Sequence, residues 1–159
     1  MKDLILGYGN VDRQDDGVAW HVLAGLCRKL DRPVPVSYDD RFENPGISPD
    51  LSFELQITPE LAEIIAAYDR VCFVDAHTGN VPENLHKAKV EPKYQSSPFT
   101  HHMTPDTCLS FVKTIYQRDV EGYLISVHGY EFGFSHELSI ATARLTELAV
   151  EDIYIWLNQ

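Results

Sequence analysis

The stretch that decides the fold is Leu4-Ile5-Leu6-Gly7-Tyr8-Gly9-Asn10-Val11-Asp12-Arg13-Gln14-Asp15-Asp16-Gly17. Its apolar start, Leu4 to Tyr8, reads as a strand running into a tight turn at Gly7 and Gly9. Asp15 and Asp16 then open a helix. Val18, Val22, Leu26 and Leu30 recur every four residues, with Ala19, Leu23 and Cys27 beside them, so one face is expected to be buried.

Downstream, strand and helix keep alternating. Pro33 stops the first helix, and Val34 to Tyr38 reads as a short second strand. Residues 39–57, with Asn44, Pro45, Gly46 and Pro49, read as a long loop, a length usually kept for function. Thr58-Pro59 restarts a helix carried by Leu61, Ile64, Ile65 and Tyr68. Val71-Cys72-Phe73-Val74, ending in Asp75, predicts a strand buried on both faces. Lys87 to Pro92 reads as an edge strand. Thr104-Pro105 opens a third helix with Cys108, Leu109, Val112, Ile115 and Tyr116 facing inward. Tyr123 to His128 is another strand, and Ser135 is expected to cap a final helix carried by Leu138, Ala141, Leu145, Leu148 and Trp156. The order β-α-β-α-β-β-α-β-α predicts an α/β fold. It is a three-layer α/β/α sandwich around a mostly parallel sheet of about five strands, read as one domain over 1–159.

Composition narrows the function. The net charge of −11 disfavours nucleic acid and anionic membrane as partners. No apolar run approaches the roughly 20 residues that span a bilayer. The N-terminus lacks the basic flank and long apolar run of a signal peptide, so a cytoplasmic location is expected. Cys27, Cys72 and Cys108 sit in apolar patterns without a C-x-x-C pair, and are expected to be buried and free.

Ligands of such sheets bind outside the carboxyl ends of the strands. Three clusters fall there: Gly7 to Gly17, then Asp75-Ala76-His77, then Thr100-His101-His102 before the third helix. Gly7-x-Gly9 after a strand resembles a phosphate cradle, but position 12 is Asp12 and the spacing G-x-G-x-x-G is not completed. Asp15 and Asp16 suit the positive end of a helix whatever else they do. Adjacent helical positions point about 100° apart, so at most one of them is expected to aim at the same point as Asp75. Asp75 follows four apolar strand residues, where a carboxylate needs a partner or a metal. Two carboxylates and an imidazole form an open O,O,N set, suited to nickel, zinc, iron or manganese, that leaves positions for water or substrate. There is no G-x-S-x-G to suggest a covalent route.

Gly7-Tyr8-Gly9-Asn10 followed by Asp15-Asp16-Gly17 resembles the opening motif of the hydrogenase maturation endopeptidases, G-x-G-N-x4-D-[DE]-x. Leu55-Gln56-Ile57-Thr58-Pro59-Glu60-Leu61-Ala62 with Phe73-Val74-Asp75-Ala76 is similar to the family's second block, and Thr100-His101 before a helix to its third. The resemblance implies an endopeptidase that removes the C-terminal extension of a nickel-loaded [NiFe]-hydrogenase large-subunit precursor. It implies Asp16, Asp75 and His101 as catalytic nickel ligands, with His102 one position away. The nickel is expected to come with the substrate, and zinc or another divalent ion to substitute. Gly9, Asn10 and Asp40 are the expected substrate contacts, Asp40 in the loop 39–49. Deleting Phe42 to Gly46 from that loop is expected to impair processing and spare folding. The alternatives are a nickel-sensing assembly chaperone without catalysis, or another metal-dependent peptidase or amidohydrolase on the same fold.

Overall fold

The structure, a computed structural model, describes residues 1–94 and 103–159. The elements follow the expected order: β1 (Asp3–Tyr8), a 3-10 turn (Gln14–Gly17), α1 (Val18–Lys29), β2 (Asp50–Glu54), α2 (Glu60–Ile65), β3 (Arg70–His77), β4 (Leu85–Val90), α3 (Pro105–Tyr116), β5 (Glu121–His128) and α4 (Ile140–Leu157). Among the described residues they build one five-stranded sheet in the order β2-β1-β3-β5-β4. The first four strands of that order are parallel, and only β4 runs antiparallel, at the edge against β5.

Helices cover both faces. Val18, Val22, Leu23 and Leu26 of α1 pack with Ala149, Val150 and Ile153 of α4 against Ile5, Cys72, Val74 and Ile125. On the other face, Leu61 and Ile65 of α2 and Leu109 and Val112 of α3 meet Leu4, Leu6, Val71 and Phe73. Residues 71–74 are therefore buried on both sides, as their unbroken apolar run predicts. A fully buried Phe73 contributes about 1.5–3 kcal/mol relative to an exposed one. The three cysteines are free and buried, as expected.

Four expectations need correction. Residues 34–38 form no strand. The second strand lies instead at Asp50–Glu54, inside the stretch expected to be loop. Pro35 interrupts the first candidate, whereas Leu51 and Phe53 put alternate side chains under α1 while Asp50, Ser52 and Glu54 break the apolar run that would have announced a strand. The cap of the last helix is Ser139 rather than Ser135; its hydroxyl accepts from Thr142 N–H. The buried face of that helix accordingly turns to Thr142, Ala149, Val150, Ile153 and Trp156, leaving Ala141 and Leu148 exposed. Ile115 and Tyr116, expected inside, are exposed in the last turn of α3. Finally, Phe42 is buried against Trp20, ring centroids 5.9 Å apart, so deletion of Phe42 to Gly46 would open the core and would not spare folding.

Candidate functional site

The chain leaves β1 on the α1 face and reaches β3 on the α2 face, so connections part company between β1 and β3. A crevice at the carboxyl ends of two such strands is where open α/β sheets bind ligands. Gly7 pairs with Val74, which sets Tyr8 level with Asp75 at the lip of that crevice. The Tyr8 hydroxyl donates to Asp75 Oδ2 at 2.6 Å.

A cavity of about 200 Å³ opens there, lined by Tyr8, Gly9, Asp16 and Asp75 on one side and by Leu55, Ile57 and Met103 on the other. Asp16 and Asp75, some sixty residues apart in sequence, thus share one mouth. Burial raises the Asp75 carboxyl above its usual range, the Ser126 and Tyr8 hydroxyls oppose this, and the charge of Asp16 adds to the rise. Ser126 lies across the ladder from Asp75, with its hydroxyl near enough to lower the carboxyl. Asp75 Oδ1 is buried without a hydrogen-bond partner among the described residues. Burial, followed by the charge and hydrogen bond of Asp75, raises the Tyr8 hydroxyl well above its ordinary value and keeps it a donor.

The loop after β1 aims Asp16. Asn10 N–H donates to Asp16 Oδ2 at 2.9 Å, and Asn10 Oδ1 accepts from Asp12 N–H at 2.9 Å. Gly9 has φ +146°, and a Cβ there would lie 2.1 Å from the Asp16 carbonyl oxygen. A Cβ on Gly17 would come within 2.5 Å of Val11 Cα. Both glycines let the turn fold back closely enough for Asp16 to face the mouth.

Asp15 points elsewhere. It is fully buried, and its carboxylate accepts from the backbone N–H groups of Tyr130, Glu131 and Ser139 and from the hydroxyls of Ser139 and Thr142. Burial pushes this carboxyl up, but the bonds from Ser139, Glu131 and Tyr130 outweigh it and hold it below its ordinary value. Asp15 therefore ties the turn after β1 to the start of α4. Of the two, only Asp16 lines the cavity with Asp75; the pair sits in a 3-10 turn ahead of α1 rather than in the helix itself.

His77 does not line the cavity. Its ring is buried and stacks on His128 at 4.9 Å, and His128 stacks on Tyr130 at 3.9 Å. Burial and the neighbouring His128 charge lower the His77 imidazole. Asp40 lines a separate cavity of about 430 Å³ beside β2. His101 and His102 lie outside the described residues. Among the described residues no three His, Cys, Asp or Glu side chains gather as a metal site. The two carboxylates fit a divalent cation nonetheless, because a buried carboxylate oxygen without a hydrogen-bond partner, in a cavity shared with a second carboxylate, calls for a proton or a cation.

Sequence reasoning missed Tyr8 and the role of Asp15. Tyr8 sat in the quoted motif, and pairing β1 with β3 would have set it beside Asp75. Asp15 had no local signal, since its partners lie more than a hundred residues away.

Solved structures share this fold over nearly the whole chain. Hydrogenase maturating endopeptidase HybD from E. coli matches with a TM-score of 0.69 at 19% identity, covering 99% of this chain and 93% of that one. The [NiFe] hydrogenase maturation protease HybD from Thermococcus kodakarensis matches at 0.63 and 16%, covering 98% and 99%. The [NiFe] hydrogenase maturation protease HycI from Thermococcus kodakarensis KOD1 matches at 0.59 and 24%, covering 94% and 90%. No protein-family model matches the chain, and a search of curated proteins found no match. The fold expected from the motif resemblance is the fold found.

Proposed function

We propose that this chain is an endopeptidase of hydrogenase maturation, which removes the C-terminal extension of a nickel-loaded [NiFe]-hydrogenase large-subunit precursor. The observation that carries the reading is the meeting of Asp16 and Asp75 in one cavity, with Asp75 Oδ1 unsatisfied among the described residues. The likeness in fold to solved maturation proteases supports it.

In this reading Asp16 and Asp75 hold the cation, with His101 as third ligand. That cation is the nickel carried by the precursor, with zinc or another divalent ion able to replace it. When bound, it would polarise the scissile carbonyl and acidify water. The chain's own groups do the rest. Tyr8 fixes Asp75 through Oδ2 and leaves Oδ1 turned away from its own hydrogen bond. An oxygen of Asp16 or Asp75 free of the cation is available to accept a proton from the attacking water. Gly9 and Asn10, which shape the turn that carries Asp16, are the substrate contacts at the mouth. Leu55, Ile57 and Met103 line the cavity beside the two acids. Asp40 contacts the tail farther along β2. The reaction takes place in the cytoplasm, where the precursor is assembled.

The test incubates the purified chain with a nickel-loaded large-subunit precursor and follows loss of the C-terminal peptide by mass spectrometry. Wild type should cleave, and Asp75→Asn should lose at least about 100-fold in rate. Binding without cleavage by wild type would point to an assembly chaperone instead.

A further inference from the structure

The edge of β2 is open where it matters. β2 is the outermost strand on the β1 side of the sheet, and its residues alternate between two directions. Glu54 C=O accepts from Gly9 N–H, so Asp50, Ser52 and Glu54 turn their backbone groups to β1. Leu51 and Phe53 turn theirs outward, and continuing the alternation one residue past the strand would turn those of Leu55 the same way. At Leu51 the outward pair is already taken: Asn44 Oδ1 accepts its N–H at 2.8 Å, and Asn44 Nδ2 donates to its C=O at 3.3 Å. One carboxamide thus imitates a neighbouring strand at that residue and stops there. The next outward groups, on Phe53 and Leu55, have no hydrogen-bond partner among the described residues.

These groups connect two cavities. Phe53 and Glu54 line the 430 Å³ cavity that also holds Tyr38, Asp39, Asp40 and Tyr68. Leu55 lines the cavity of Asp16 and Asp75. A natural protein usually blunts such an edge with lysine, proline or a covering loop. Here the flank is acidic: Asp39, Asp40 and Glu54 outnumber Arg41, in a chain of net charge −11.

We infer that the Phe53–Leu55 edge of β2 is a strand-addition site for the extended, basic C-terminal tail of the precursor. The inference rests on the processing activity proposed above. With the scissile bond at Asp16 and Asp75, the tail beyond it runs back along β2, antiparallel to it. Its backbone pairs with Leu55 and then Phe53, and its basic side chains reach Asp39 and Asp40. Main-chain pairing supplies affinity and register, the acids supply preference for basic tails, and Asn44 ends the pairing after Phe53.

The experiment uses the full chain and the precursor. Leu55→Pro deletes the outward N–H at an exposed residue one past the strand, after an extended Glu54 that tolerates a following proline. Asp39→Asn with Asp40→Asn removes the acids without touching the edge. Each variant's thermal melt is recorded first; both should melt like wild type. Leu55→Pro should raise KM about tenfold, and the double variant should raise KM and flatten its salt dependence. Amides of Phe53 and Leu55 should also gain hydrogen-exchange protection on adding a synthetic peptide of the tail. If KM and exchange are unmoved while Asp75→Asn stops cleavage, the strand-addition site is wrong and the processing activity stands. If Asp75→Asn cleaves at the wild-type rate, the active-site reading itself fails.

Discussion

Two neighbouring carboxylates, Asp15 and Asp16, are put to opposite uses. Around Asp15 every oxygen is engaged by donors from the segment before α4 and from its first turn, and the group is sealed from water. Around Asp16 and Asp75 the chain assembles charges in a partly open cavity and leaves Oδ1 of Asp75 without a described partner. The first arrangement stabilises the fold by satisfying a charge. The second keeps a charge unsatisfied, which folding alone would select against. In the proposed reading, that difference separates a structural acid from a functional one more sharply than either residue's place in a motif.

The comparison is broken most forcefully at Asp15. Asp15→Ala strands three backbone N–H groups and removes the acceptor of the Ser139 hydroxyl in the interior. It should lower unfolding free energy by roughly 3 kcal/mol or more in urea titrations. A loss under about 1 kcal/mol would deny its role as a clamp. Next comes Gly9→Ala, whose Cβ would collide with the Asp16 carbonyl in a backbone region that favours glycine. It should cost about 1–3 kcal/mol and displace Asp16, so that cleavage falls further than stability.

Acid sharpens the contrast. The Asp15 carboxyl is held below its unfolded value, so its contribution is fully present above about pH 4 and is lost as pH falls through the lowered folded value. Asp75 is raised, so its ionisation removes stability as pH climbs from the ordinary carboxylate range through the raised value. In metal-free protein, the stability gap between wild type and Asp15→Asn should therefore shrink below about pH 4. The smallest expected effect is Asp75→Asn at neutral pH, which should leave metal-free stability unchanged or raise it by about 1 kcal/mol. A pronounced destabilisation there would mean that Asp75 is structural after all.

Periodicity made most of the architecture legible. The buried run 71–74 and the four-residue spacing of Val18, Val22 and Leu26 gave the central strand and the helix beside it. β2 escaped because its inward residues, Leu51 and Phe53, are separated by acids and serine that belong to an edge. The last helix was misphased because Ser135 and Ser139 both qualify as caps, and only contact with Asp15 selects Ser139. At the site, Asp16 and Asp75 were readable from strand ends. The Tyr8 contact and the Asp15 clamp were not, since both depend on which distant segments the sheet brings together.

The most direct measurement compares precursor cleavage by Asp15→Asn and Asp16→Asn, each at a temperature where melting curves show the variant fully folded. Asp15→Asn should retain cleavage within a few-fold of wild type per folded molecule, and Asp16→Asn should lose about 100-fold or more. Full activity in Asp16→Asn together with its loss in Asp15→Asn would reverse the assignment of the two acids and contradict the account.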